Sequence, residues 1–301
     1  MSSPLPGARF VDPTVLGRIG NLELVARTVV DGFLNGLHKS PFFGASVDFA
    51  EHRGYTPGDD IRRVDWRVFG RTDRFYVKEF EADTNANLLV ALDVSRSMDY
   101  GSGTLTKLDY GRILAASLLY LSRRQRDRVG LVTFDATLLD IVPPSAKHLE
   151  LCLHTLDRRA AGRRGELAGP LEKVAEISRR RSIIVLVSDL YDEPTVVFRA
   201  LARLRDRGHD VIVLHVLDPD ELEFPFDGAA PFEDLETGER APVVPAKMRD
   251  EYRALIREHC DTLARGLGQR RVDYYLAQTS KPVDFALFEY LTRREWLRLA
   301  K

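Results

Sequence analysis

Three side chains at alternate positions, Asp93, Ser95 and Ser97, close the apolar run Asn87-Leu-Leu-Val-Ala-Leu-Asp93. A carboxylate and two hydroxyls supply only hard oxygen donors, a set that suits Mg2+, Mn2+ or Ca2+ better than zinc. The competing use is local, because Asp and Ser also cap turns and the first turn of a helix. A second apolar run, Ser182-Ile-Ile-Val-Leu-Val-Ser188-Asp189, ends the same way, in hydroxyl and acid. If both runs are strands of one parallel sheet, Asp93 and Asp189 meet at its carboxyl edge, where open α/β folds bind ligands.

Enzymatic uses of these residues fit less well. The chain has no G-x-x-x-x-G-K-[ST] for a P-loop and no G-x-S-x-G around any serine. Gly101-Ser-Gly103 lacks the third glycine of a dinucleotide loop. An Mg-dependent aspartyl phosphatase-like hydrolase using Asp93 is the alternative, since such a nucleophile also ends a strand. The haloacid-dehalogenase pattern, however, needs an acid two residues later, where this chain has Ser95. The expectation is a non-enzymatic protein.

The elements that must position these residues follow from hydrophobic period. Leu22, Val25, Val29, Phe33 and Leu37 recur at helical spacing, and Arg74 to Phe80 alternates as a strand. Asp59 or Asp60 caps a short expected helix carrying Ile61, Val64 and Phe69. After the central strand, Thr106 and Asp109 form a capping pair that opens a helix to about Gln125. Val129 to Phe134 reads as a buried strand, and Thr137 to Val142 as an edge strand stopped by Pro143 and Pro144. Helices near 148–157, 170–179 and 195–207 alternate with strands at 182–188 and 210–217. A helix over 247–267, a strand over 272–277 and a closing helix from Val283 complete the chain. This alternation predicts an α/β fold, a doubly wound, mostly parallel Rossmann-like sheet flanked by helices. Residues 1–85 are expected to form an N-terminal helix and strand extension. Residues 86–301 form the α/β domain, with an acidic insertion at about 218–245 whose tip lies near Leu235-Glu-Thr-Gly238.

Composition excludes several function classes. Of 301 residues 44% are hydrophobic, enough for a core, and the 30% that are charged nearly cancel to a net charge of −1. A balanced charge gives no general attraction to nucleic acid. No apolar run is long enough to span a bilayer, and MSSPLPGARF lacks the apolar segment of a signal peptide, so a cytoplasmic location is expected. Cys152 and Cys260 form no C-x-x-C and read as reduced cysteines.

Asp93, Ser95 and Ser97, followed by Ser188-Asp189, resemble the metal-ion-dependent adhesion site of von Willebrand factor A domains. There D-x-S-x-S follows the first strand, a Thr comes from a middle loop and an Asp follows the fourth strand. The resemblance implies that the serines bind the metal directly, that the aspartates act largely through water, and that an open position accepts a partner's carboxylate. Where that family has Gly-Thr, this chain has Arg163-Arg164-Gly165-Glu166-Leu167. Glu166 either binds the ion itself or marks a site that has lost it, and occupancy is the expectation.

The stretch HRGYTPGDDIRRVDWRVFGRTDRFYVKEFE followed by LDVSRSM is similar to bacterial proteins of domain-of-unknown-function family 58. That resemblance implies a von Willebrand A-like domain behind an arginine-rich segment. It also implies a MoxR-type AAA+ ATPase, or a client protein, as partner in maturation or remodelling. Arg62, Arg63, Arg67, Arg71 and Arg74 are matched in number by nearby acids and read as an ion-pair network rather than a docking surface. Arg158, Arg159, Arg163 and Arg164 lie nearer the expected metal edge, where they would steer an acidic partner or balance its acids. Trp66 and His215 read as core residues.

Overall fold

The computed structural model describes residues 21–38, 52–54, 76–78, 86–158, 161–162, 164–228, 230–235, 238–284, 286–287 and 290. The helix expected to carry Ile61, Val64 and Phe69, the arginines from Arg62 to Arg74, Trp66, Arg159 and Arg163 lie outside these residues. Along the chain run α1 (Leu22–His38), β1 (His52–Gly54), β2 (Tyr76–Lys78), β3 (Asn87–Asp93), α2 (Lys107–Arg124), β4 (Arg128–Phe134) and β5 (Leu138–Ser145). Then come α3 (Leu149–Arg158), α4 (Ala168–Ile177), β6 (Ile183–Ser188), α5 (Pro194–Asp206), β7 (Asp210–Leu217) and α6 (Pro219–Glu223). The hairpin β8 (Ala230–Glu233) and β9 (Arg240–Val243), then α7 (Pro245–Gln269) and β10 (Asp273–Gln278), follow.

Six strands form the main sheet in the order β10-β7-β6-β3-β4-β5. Only β5, at one edge, runs antiparallel to its neighbour. The sheet is therefore doubly wound and mostly parallel. Successive side chains of β3 enter opposite cores. Leu88, Val90 and Leu92 face a core shared with α1, α2 and α3, while Leu89 and Ala91 face one shared with α4, α5 and α7. Both faces are thus covered, which is why β3 reads as a continuous apolar run. The helix α1 belongs to the first of these cores, through Val25, Ala26, Val29 and Val30. The Thr106–Asp109 capping box is present, with Asp109 N donating to Thr106 Oγ1 (3.1 Å) and Thr106 N to Asp109 Oδ2 (3.3 Å).

The edge strand differs from expectation. β5 does not stop at Pro143 but runs through Pro143 and Pro144 to Ser145. A proline offers no N–H, which an edge position tolerates. The register shifts between Val129 and Leu131 accommodate the two rings. Gly130 lies opposite them, where a Cβ would come within 2.6 Å of the Val142 carbonyl oxygen. The insertion at 218–245 resolves into α6 and the β8–β9 hairpin.

Candidate functional site

The carboxyl ends of β3 and β6, adjacent in the sheet, bring Asp93, Ser188 and Asp189 together. Asp93 is buried and uses both oxygens: Ser95 N donates to Oδ1 (2.9 Å) and Ser188 Oγ to Oδ2 (2.6 Å). The loop after β3 turns at once into a short 3-10 turn, Arg96–Asp99, which folds Ser97 back towards Ser95. Their hydroxyl oxygens lie 3.1 Å apart. Burial, and secondarily the Asp189 carboxylate, push the Asp93 carboxyl up to about 7, against the hydrogen bonds from Ser188 and Ser95. An acid in such surroundings favours a bound cation, or failing that its proton.

Adjacent oxygens of an octahedral Mg2+ with bonds near 2.0–2.1 Å lie about 2.9 Å apart. The Ser95 and Ser97 hydroxyls are close to that separation, and Asp93 supplies the hard anionic donor beside them. The Asp93 half of the edge therefore fits a hard divalent cation. Among the described residues no three His, Cys, Asp or Glu side chains form a group that could hold a metal ion.

The other half is occupied differently. Asp189 Oδ2 accepts a hydrogen bond from Lys107 Nζ at 2.8 Å, and the same ammonium donates to Glu221 Oε1 at 2.6 Å. Lys107 is fully buried, at the first residue of α2, with its ammonium 4.9 Å from the centre of the Tyr191 ring. Its two acids hold it protonated, outweighing a burial that alone would lower it. The backbone carbonyl of Asp189 is bonded to His215 Nε2 at 2.7 Å, and His215 Nδ1 meets Tyr274 Oη at 2.7 Å. His215 is thus the satisfied core histidine expected, its ring pushed down to about 4 by burial.

The middle loop reaches the edge at Gly162, whose N–H donates to the Val94 carbonyl at 2.5 Å. A Cβ there would sit 2.7 Å from Asp135 Oδ2, so the close approach requires glycine. Glu166 is exposed, and no hydrogen bond or ion pair joins it to Asp93 or Asp189 among the described residues. Its charge is felt instead by Asp192, whose carboxyl is raised by burial and further by Glu166 and Asp189. Arg158 is exposed at the end of α3. Asp93, Ser95, Ser97 and Asp189 therefore converge, and Glu166 stands apart. Sequence reasoning missed Lys107 and Glu221. A signal existed in the lysine itself, since a cation at a helix N-terminus opposes the macrodipole and needs a compensating acid.

The fold and this edge define an α/β protein with a serine–aspartate site at the carboxyl ends of its central strands. Residues 51–262 match the family described as Protein of unknown function DUF58, and the chain belongs to that family. It is 30% identical over 292 residues to an uncharacterized protein of Mycobacterium tuberculosis, covering 95% of this chain and 87% of that one. An uncharacterized Mycobacterium avium protein is 33% identical over 144 residues, 48% of this chain and 76% of that one. Among solved structures, BatB from Bacteroides thetaiotaomicron is similar over 69% of this chain and 98% of its own, with 16% identity and a TM-score of 0.49. The SpRpn10 VWA domain is similar over 67% and 93%, with 9% identity and a TM-score of 0.41. Among the described residues no helix is long and apolar enough to cross a membrane.

Proposed function

We propose that this protein is a non-enzymatic, divalent-cation-dependent protein-interaction module. Asp93, Ser95 and Ser97 would hold Mg2+, or Mn2+ or Ca2+, directly, with Asp189 in its outer shell. When bound, the ion would supply an open coordination position for a partner's carboxylate. The observation that carries this reading is the pair of serine hydroxyls 3.1 Å apart beside the buried Asp93. The surroundings support a protein partner. Tyr191 is exposed beside the edge, and Val244, Met248 and Leu255 form an exposed stripe along and just before α7. Tyr191, Tyr252 and Leu255 line one open groove of about 480 Å³. Exposed apolar surface gathered beside a polar site is characteristic of protein docking. The partner we infer is a MoxR-type AAA+ ATPase or a client that such an ATPase remodels, an assignment that rests on the family resemblance.

The test is calorimetric titration with MnCl2 and MgCl2 at pH 8. One site is expected in the wild type, weakened at least tenfold in Ser95→Ala, because losing one ligand from so small a set leaves the ion under-coordinated. Absence of binding at millimolar Mg2+, Mn2+ and Ca2+ would reduce Asp93 and the serines to a capped loop.

A further inference from the structure

The most unusual feature outside the serine–aspartate set is the fully buried Lys107, which joins three elements distant in sequence. Its ammonium contacts Asp189 at the end of β6 and Glu221 in α6, while its backbone starts α2. Glu221 has two tasks. Oε1 accepts from Lys107, and Oε2 accepts the Asp218 N–H at 2.8 Å, closing the capping box of α6. Straight after α6 the chain turns through Phe224, in the left-handed region at φ 45°. The Phe224 ring packs on Phe232 of β8 at 5.6 Å and on Tyr252 of α7 at 4.5 Å. Arg249 clamps the same turn, donating to the carbonyls of Phe224 (3.1 Å) and Phe226 (2.8 Å). An unbroken series of contacts therefore runs from Asp189 through Lys107, Glu221 and Phe224 into the β8–β9 hairpin.

We propose that Lys107 is a latch that holds α6 and the β8–β9 hairpin against the serine–aspartate edge and tightens when a divalent cation binds there. The regulatory half of this inference rests on the cation reading above; the latch itself does not. The direction follows from charge. Without an ion Lys107 is shared between Asp189 and Glu221. An ion drawn to Asp93 attracts the Asp189 carboxylate and repels the ammonium, and both effects push Lys107 towards Glu221. By linkage, whatever fixes Lys107 on Glu221 also favours the ion. Glu221 thus assists cation binding without touching the cation, and the hairpin is the part of the surface that reports occupancy to a partner.

The experiment is hydrogen–deuterium exchange of peptides spanning 230–243 in the full chain, with EDTA and with MnCl2, alongside Mn2+ titration. The variants are Glu221→Gln and Lys107→Met. Gln keeps an acceptor for the Asp218 N–H, so α6 stays capped and the fold is preserved even where Lys107→Met is too unstable to purify. In EDTA, Glu221→Gln should exchange about tenfold faster over 230–243, in line with the loss of one charged hydrogen bond. Exchange there equal to wild type overturns the latch, whatever the ion does. Mn2+ should slow this exchange in the wild type and not in Glu221→Gln, whose Mn2+ affinity should fall severalfold. If Mn2+ binds and the hairpin exchange is unmoved, the coupling is wrong. If Mn2+ does not bind, the cation reading and the coupling fall together, while the EDTA comparison still decides the latch.

Discussion

Replacing Asp93 with Asn isolates the electrostatic state of the site. Asp93 is buried, and its carboxyl is pushed from the ordinary 3.8 up to about 7, chiefly by burial and then by Asp189. The folded protein without metal therefore keeps this proton to higher pH than the unfolded chain. Between about pH 4 and pH 7 the native state binds more protons, so stability falls as pH rises and then levels off above about 7. At about 1.4 kcal/mol per pH unit the full span corresponds to about 4 kcal/mol, and the part between pH 5 and pH 8 to about 2–3 kcal/mol. Asn has no such titration. Its oxygen can still accept from Ser95 N, and its amide can donate to Ser188, so any offset it introduces is constant with pH. The assay is thermal melting of wild type and Asp93→Asn in EDTA at pH 5, 6, 7 and 8. The melting temperature of Asn relative to Asp should rise by roughly 4 °C from pH 5 to pH 7 and then plateau, as expected for a chain of this size. Adding Mg2+ at pH 8 should raise the melting temperature of the wild type alone, since only the wild type offers the ion an ionised carboxylate at position 93. A difference between the two proteins that is flat from pH 5 to pH 8 would refute the argument.

Two further substitutions follow from the middle loop. Glu166 is exposed and makes no bond to Asp93 or Asp189 among the described residues, so Glu166→Thr should leave Mn2+ affinity within about twofold of wild type. A tenfold loss in calorimetry would mean that Glu166 swings in to ligate. Gly162→Ala places a Cβ 2.7 Å from Asp135 Oδ2 and 3.0 Å from the Val94 carbonyl oxygen, so it should cost about 1–3 kcal/mol in denaturant unfolding. A change under about 0.5 kcal/mol would show that the loop does not need to lie so close to β3.

Much of the fold was legible in sequence, because a strand covered on both faces leaves an unmistakable apolar run. β3, β4, β6 and β7 are legible this way, and the acids that end β3 and follow β6 do lie at one edge of the sheet. The Thr106–Asp109 capping box was legible for a similar reason, since its hydrogen bonds involve residues only three apart. What stayed illegible was information carried by neighbours distant in sequence. Pro143 and Pro144 are strand breakers in isolation, and only the edge position of β5 and its bulged register opposite Gly130 permit them. Glu166 occupies the place of a ligand in the pattern, but the loop approaches β3 at Gly162, and Glu166 falls on the exposed side next to Asp192. Lys107 looked like an ordinary first-turn residue of a helix, and its partners come 82 and 114 residues later.

Lys107 also explains why the two acids of the site are not equivalent. Asp189 is met by an ammonium at 2.8 Å, so its charge is compensated within the protein. Asp93, adjacent and equally enclosed, is met by hydroxyls and a backbone N–H, which satisfy its lone pairs without supplying a positive charge. The lysine itself is divided between two carboxylates, so Asp93, Asp189 and Glu221 together exceed it by two negative charges when all are ionised. The excess has its largest effect at Asp93, the member with no cation of its own. A proton can discharge one unit of it and does so below about pH 7. A divalent ion would discharge both, and beside Asp93 the Ser95 and Ser97 hydroxyls lie 3.1 Å apart, close to the separation its coordination requires. The built-in ammonium compensates Asp189 and leaves Asp93 as the member of the three acids with no cation partner among the described residues.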